Sequence, residues 1–529
     1  MTRRLHLALL GISTLLASLA VLPGAAQAPA ISLEEVTVAQ LQEAMAQGRC
    51  TAAQLVDLYL ERIEALDRGG PTLRSIIEIN PDARSIAASL DEERKAGRVR
   101  GPLHGIPIVI KDNIDTGDRM MTTAGSLALE GTTAPRDAFV VARLREAGVV
   151  ILGKTNLSEW ANFRSTNSTS GWSGRGGQVR NPYVLDRNPC GSSSGSGVAV
   201  AANLATMAVG TETDGSVVCP SAANSTVGIK PTVGMVSRSG IIPISKTQDT
   251  AGPMARTVTD AALLLSAMAG VDKQDESTQA VGSRNTDFAR TLDPGALKGA
   301  RLGVARQRYF GYSPKADAVI EEAIRVLREQ GAVIVDPADI PTAATLSDCE
   351  FEVLLYEFKD GLNAYLATRA DAKVKTLEEL IAFNTREAQR ELRVFGQEIL
   401  EMAQKKGGLS SPEYQKALTT CRTRARTEGI DAVMEKHQLD ALIAPTGSPA
   451  WPIDLVNGDH FSGASSSPAA IAGYPNVTVP AGYVEGLPVG ISFFGGAWTD
   501  AKLIGLAYAY EQATKHRRPP AFIPSLPHR

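Results

Sequence analysis

Apolar positions along this chain repeat with two periods. Leu55, Leu58, Tyr59 and Ile63 recur at helical spacing behind Thr51, which forms a capping-box pattern with Gln54; Ser32 with Glu35 repeats that signature upstream. Together they predict N-terminal cover helices over residues 32–68. "GIPIVIKDN" (Gly105 to Asn113) is instead a short continuous apolar run, the pattern of a strand buried on both faces. A helix from Asp137 to Ala147, stopped at Gly148, leads to a second such strand in "VVILG". The order returns in "ARLGVAR", a helix from Pro314 to Gln330, and "AVIVDP". Repeated strand, helix, strand units predict an α/β fold, a large sheet containing parallel pairs with helices on both faces. Residues from about 345 to 436 are charged and helical in pattern and predict a helical layer beside the sheet, after which strands resume at "DALIAPTG" and "NVTVPAGYVEGLPVGISFFG".

The first residues follow different rules. Arg3 and Arg4 precede an apolar run from Leu5 to Leu22, broken by Gly11, Ser13, Thr14 and Ser18, and small residues follow in "PGAAQAPA". That layout predicts a signal peptide over residues 1–26, cleaved after Ala26 or Ala28, and a mature chain exported to the periplasm or secreted. No later segment is apolar over a spanning length, so no stable membrane association is expected after cleavage.

Composition narrows the function classes. A hydrophobic share of 43% and a charged share of 21% are those of a soluble globular protein. The net charge of -3 and the lack of a long basic run argue against a nucleic-acid partner. Five cysteines without a CxxC pair argue against a zinc site or a disulfide scaffold, and apolar packing is the expected role of Cys190 and Cys219. The length admits about three domains of ~150 residues or one large α/β domain.

Candidate chemistry sits in "CGSSSGSGVAVAANLATMAVGTETDGS" (Cys190 to Ser216), where two hydroxyl-rich, flexible loops flank an apolar stretch. The small residues of "TETDGS" could turn several backbone N–H groups toward one point, as an oxyanion site requires, although the same residues also make an ordinary turn. A serine nucleophile needs a base. His104, His437, His460, His516 and His528 belong to no triad motif, and His6 lies in the predicted signal. Lysine is the other option: Lys111 ends one apolar strand and Lys154 another, and pattern alone barely separates them. Burial favours the neutral amine, and lowering a lysine pKa from about 10.4 to about 7 to 8 takes roughly 3 to 5 kcal/mol of destabilisation of the ammonium. A lysine whose head reaches water or pairs with Asp112 would do no chemistry.

"GIPIVIKDN", "CGSSSGSGVAVAANLA", "GTETDGS" and "GIKPTVGMVSRSGIIPISKTQDTAGPMART" together resemble the amidase signature family, and the likeness runs on to "YPNVTVPAGYVEGLPVGISFFG". The resemblance implies one domain over residues 30–529 and a Ser-cisSer-Lys triad with Lys111 as base, Ser192 as bridging serine in a cis peptide, and Ser216 as nucleophile. It favours Lys111 over Lys154. By the same likeness, backbone N–H groups of Thr213, Asp214, Gly215 and Ser216 form the oxyanion hole. Asp112 and Asn113 are expected to orient Lys111 or fix the strand end, and Ser193 and Ser194 to shape the loop. The implied reaction is hydrolysis of a carboxamide through an acyl-enzyme, with no metal or organic cofactor, by a chain expected to be a monomer.

The loops also depart from the family's usual GGSSGGS and TDTGGS. Cys190 and Ser194 replace glycines, Glu212 and Asp214 alter the second loop, and Val218 stands where arginine is common. These departures are similar to the bacterial peptide amidase branch, which removes the C-terminal amide of peptides. The expected substrate is therefore a peptide amide, with small aliphatic or aryl amides as the alternative. The family's ammonia-generating component for charged tRNA fits poorly with an export signal and no basic surface. Two readings outside the family remain. Ser193 in "GSSSG" matches the GxSxG elbow of α/β-hydrolases, but "NPYVLDRNPC" before it makes a poor strand. An exported solute-binding protein would use one Ser/Gly loop at a helix start, but that leaves the second serine and the buried lysine unexplained.

Overall fold

The computed structural model describes residues 31–527; the predicted signal peptide and its cleavage site lie outside them. Its strands are β1 Ile76–Ile79, β2 Pro107–Lys111, β3 Val150–Thr155, β4 Trp172–Ser173, β5 Gly177–Gln178, β6 Met207–Glu212 and β7 Val227–Lys230. They continue with β8 Thr250–Ala255, β9 Arg301–Val304, β10 Val333–Val335, β11 Ala441–Pro445, β12 Asn476–Val484 and β13 Leu487–Phe494. Strands β4 and β5 pair only with each other, and the remaining eleven form one mixed sheet in the order β1-β3-β2-β6-β8-β7-β12-β13-β11-β9-β10.

The sequence pattern explains this order. β2 and β3 are joined through the helix Phe139–Glu146 and lie parallel, as a crossover connection allows. All residues of β2, β3 and β6 are buried, which is why they read as continuous apolar runs. β9 likewise pairs parallel with β10 and β11, whereas β12 and β13 form an antiparallel hairpin between the two parallel groups. Helices cover both faces of the sheet. One main apolar core, including Ile108, Val109, Val209, Ile229, Val477 and Phe493, follows the sheet along its length.

The helical layer runs from Ser347–Ala367 through Leu377–Arg386, Glu398–Gln404 and Pro412–Ala425 to Asp431–His437. It carries a second core, in which Phe358 packs at 5.1 Å against Phe163 of the chain beyond β3. The cover helices are Val38–Ala46 and Ala52–Ile63.

Two expectations are corrected. The capping box at Thr51 and Gln54 forms, but the upstream box is Thr37 with Gln40 rather than Ser32 with Glu35. Glu35 is drawn away by Arg517, whose guanidinium meets its carboxylate at 2.7 Å. The cysteines also pair: Cys190 with Cys219 and Cys349 with Cys421, leaving Cys50 free and buried. The partners are 29 and 72 residues apart in sequence but their Cα atoms lie 6.0 and 5.6 Å apart, a proximity that a count of cysteines cannot reveal. Cys349–Cys421 ties together two helices of the helical layer.

Candidate active site

β2 ends at Lys111 and delivers its amine into the interior. The Nζ atom lies 2.7 Å from Ser192 Oγ, 2.9 Å from Thr211 Oγ1 and 3.2 Å from Thr211 O. The side chain is fully buried, and desolvation lowers its pKa to about 7 against the opposing pull of Asp249 and Glu212. The amine is therefore poised between its two protonation states near neutrality.

Ser192 comes from a loop that is packed without slack. The Gly191–Ser192 peptide bond is cis. Ser193 Oγ donates to Thr211 O at 3.0 Å and accepts from Thr211 N at 3.1 Å, which pins the loop to the end of β6. Ser194 Oγ donates to Cys190 O at 2.6 Å as the helix Ser194–Ala201 begins. Every residue of that helix is buried, and Ser196 Oγ meets Thr155 Oγ1 at 2.8 Å to hold it on β3. A Cβ at Gly195 would stand 2.3 Å from Ser75 O and 2.5 Å from Asn156 O, so only glycine permits this approach.

Ser216 follows β6 through a turn in which Gly215 takes φ +77°. Ser193 N donates to Ser216 O at 3.1 Å, so the two loops are joined at Ser216 itself and at the residue after Ser192. They are joined again by the Cys190–Cys219 bridge, one residue before Gly191 and three after Ser216. Cys190 holds φ +59°, the left-handed region in which the family pattern has glycine. Apolar packing alone thus understates these cysteines: they pack with Trp451 and Ala223 and also staple the loops.

Of the four backbone amides expected to bind an oxyanion, Gly215 N donates to Glu212 Oε1 at 2.9 Å. Among the described residues, the N–H groups of Thr213, Asp214 and Ser216 have no protein acceptor. Glu212 also accepts from Val217 N at 2.8 Å and Val218 N at 3.0 Å, so its buried carboxyl shapes the turn beneath Ser216. Burial raises its pKa, opposed first by Lys230 and then by those two bonds.

Asn113 Nδ2 donates to Thr211 Oγ1 at 3.0 Å and so reaches Lys111 through a shared hydroxyl. Asp112 does not contact the Lys111 amine. It accepts from Thr123 Oγ1 and from Gly125 N at 3.2 Å and lies 3.5 Å from Arg175, because successive residues of an extended chain point to opposite faces. Lys154 occupies Asp112's face: it pairs with Ile110, one position before Lys111, and its amine donates to Ile114 O at 2.6 Å and Thr122 Oγ1 at 2.9 Å. Ser193 follows irregular chain rather than a strand, and its hydroxyl is engaged by Thr211, an arrangement unlike a nucleophile elbow.

Sequence reasoning gave no role to Thr211, Lys230 or Asp249, and read Glu212 only as a departure from the family's loop. Glu212 and Lys230 each end a buried strand, the same oddity that singled out Lys111. Lys230 is lowered to about 8 by burial, chiefly against Glu212, and Asp249 is raised to about 6 by burial while accepting from Thr213 Oγ1 at 2.6 Å.

A cavity of about 530 Å³ reaches Ser216 and is bounded by the turn from Thr213 to Ser216, the cystine, Trp451, Phe461 and Leu354 of the helical layer. A second, of about 720 Å³, shares Ala161, Thr213 and Ile244 with it and carries Arg238, Lys246 and Asp249. Neither lining contains histidine, and among the described residues no cluster of His, Cys, Asp and Glu is placed to hold a metal.

This arrangement has relatives. A family model described as Amidase matches residues 54–504. The native peptide amidase from Stenotrophomonas maltophilia superposes with a TM-score of 0.89 at 54% identity, over 92% of this chain and 99% of that one. An amidase family protein from Bacillus anthracis superposes with a TM-score of 0.83 at 39% identity, over 92% of this chain and 92% of that one. A probable amidase of Arabidopsis thaliana is 43% identical over 502 residues, 93% of this chain and 92% of its own.

Proposed function

The chain belongs to the amidase signature family of C–N hydrolases, and we propose that within it the protein releases ammonia from the C-terminal carboxamide of peptides through an acyl-enzyme on Ser216. The observation that carries this reading is the buried Lys111 amine 2.7 Å from Ser192 Oγ, on a loop joined by backbone to the Ser216 turn.

The proposed sequence needs only this chain's residues. In its neutral form Lys111 donates its N–H groups to Thr211 and offers its lone pair to the Ser192 hydroxyl. Ser192 passes its proton to Lys111 and takes that of Ser216 as Ser216 Oγ attacks the carbonyl carbon. The N–H groups of Thr213, Asp214 and Ser216 receive the oxyanion, while Glu212 holds the Gly215 amide and fixes the turn. The C–N bond then breaks as the leaving nitrogen takes a proton back through Ser192 from the Lys111 ammonium. Ammonia leaves, and water activated by the same relay hydrolyses the ester and restores Ser216.

The peptide preference is supported by the likeness to peptide amidase and by the charge of the cavity. No lysine or arginine lines the cavity that reaches Ser216, so a free C-terminal carboxylate finds no cationic partner there. Asp214 lines it instead, its carboxyl pKa raised by burial, so the lining offers a free acid no compensating positive charge while it accepts the neutral amide. The N-terminal pattern and the two cystines support an exported location as part of the same proposal.

The test incubates the purified protein with a peptide amide, the matching free-acid peptide and a simple aliphatic amide. Ammonia from the first with peptide bonds intact is the expected result; turnover of only the aliphatic amide overturns the peptide assignment.

A further inference from the structure

The large apolar side chains most exposed on the described surface are Val99, Val271, Val333, Leu455, Val456 and Phe461. The last three lie in a single irregular loop, and Val456 is 87% exposed. Clustered apolar exposure on a folded surface marks a binding site more often than chance.

This loop is held in place, not merely displayed. The Asp459 carboxylate accepts from Ser170 N at 3.0 Å, Ser170 Oγ at 2.5 Å, Asn188 Nδ2 at 3.0 Å and Trp451 Nε1 at 3.0 Å. Asp454 Oδ1 accepts from the backbone N–H groups of Val456 and Asn457, each at 2.9 Å. The two carboxylates are thus engaged by the loop and its neighbours, while Leu455, Val456 and Phe461 stay exposed. Phe461 stands edge-on to Trp451 at 5.4 Å, and Trp451 packs on the Cys190–Cys219 bridge beside both serines. Trp451 and Phe461 both line the cavity that ends at Ser216, together with Asn457 and Asp459, so this loop forms one of its walls and the two aromatic rings its apolar part.

The chemistry assigns the occupant. The leaving group of a primary carboxamide is ammonia, which carries no substituent, so substrate filling this cavity lies on the acyl side. We propose that the loop from Trp451 to Phe461 is the acyl-side specificity subsite and binds the apolar side chain of the residue bearing the carboxamide or its immediate neighbour. This rests on the peptide amide reading above and adds the class of peptide. Covering the exposed Phe461 with an apolar substrate side chain removes both surfaces from water, which a glycine or a charged residue cannot do.

The experiment measures kcat/KM for ammonia release from short peptide amides that differ only in the residue at or next to the amide, with Gly, Leu, Phe, Lys and Asp in turn. The wild-type protein is expected to prefer Leu and Phe to Gly by about tenfold, mainly through KM. Phe461→Ala is expected to compress that ratio to within about threefold, while Val99→Ser, at an exposed position outside the cavity lining, preserves it. Melting temperatures matching the parent show that the variants fold. Equal kcat/KM across the series in the wild type, or an equal loss for every substrate in the variants, overturns the subsite while leaving the peptide reading intact. Turnover of simple amides alone overturns both.

Discussion

Two buried lysines lie at the ends of adjacent strands of one sheet, and they meet different groups. Lys111 on β2 and Lys154 on β3 are both fully buried, and desolvation lowers both pKa values. The amine of Lys111 meets the hydroxyls of Ser192 and Thr211, groups that can exchange protons. Lys154 donates to the Ile114 carbonyl and Thr122, with the charges of Asp112, Asp115, Asp118 and Glu78 opposing its desolvation. Its amine closes the chain after β2 against β3, a structural role. Burial therefore does not identify a base. What separates the two lysines is the face of the sheet each occupies and the groups waiting there.

The sharpest way to break this contrast is to make both lysines methionine, which keeps their length and removes the charge. Lys111→Met is expected to lower turnover about ten-thousandfold or more, measured as ammonia release. Lys154→Met is expected to keep turnover within about tenfold and to lose stability instead, about 1 to 3 kcal/mol for each buried acceptor left without a donor, read by denaturant melts. Equal loss of turnover in two natively folded variants removes the distinction between the lysines. Ser216→Ala is expected to abolish the covalent intermediate seen by mass spectrometry with a slow substrate, whereas Ser192→Ala lowers turnover roughly a hundred- to a thousandfold.

The pH profile tests the charge state directly. Only the neutral amine accepts a proton from Ser192, so kcat/KM is expected to rise with pH and level off above about 7, falling by about tenfold per unit on the acid side. Lys154→Met leaves that limb where it is. Thr211→Val sharpens the contrast further: it removes an acceptor that favours the ammonium, so the limb moves to lower pH, with turnover near neutrality reduced by about tenfold. The smallest effect is expected from opening the Cys190–Cys219 bridge. Cys219→Ser lowers kcat about two- to fivefold by loosening the two serine loops, and Cys349→Ser, in the helical layer, lowers stability more than kcat.

Much of this architecture is legible in the sequence because burial leaves a periodic trace. Strands β2 and β3 are read as apolar runs in the chain, and the helix Pro314–Glu329 repeats its apolar positions at 3.6-residue spacing. Features fixed by partners distant along the chain are not legible. Glu35 satisfies a capping pattern yet answers to Arg517, 482 residues away. Cys190 and Cys219 look like small apolar residues until the fold brings them together. Glu212 and Lys230 belong to motifs read for other reasons, and only the alignment of β6 with β7 across β8 sets their charges against each other.

The sequence by itself determined the alternation of helices and strands, the two hydroxyl-rich loops and the presence of a lysine at the end of each of two buried strands, since these depend on residue type and local spacing. Only the tertiary structure decided which lysine meets Ser192 and that Asp112 turns away from Lys111 toward Thr123 and Arg175. Those outcomes depend on the register of β2 against β3, where a shift of one residue moves every side chain to the other face of the sheet.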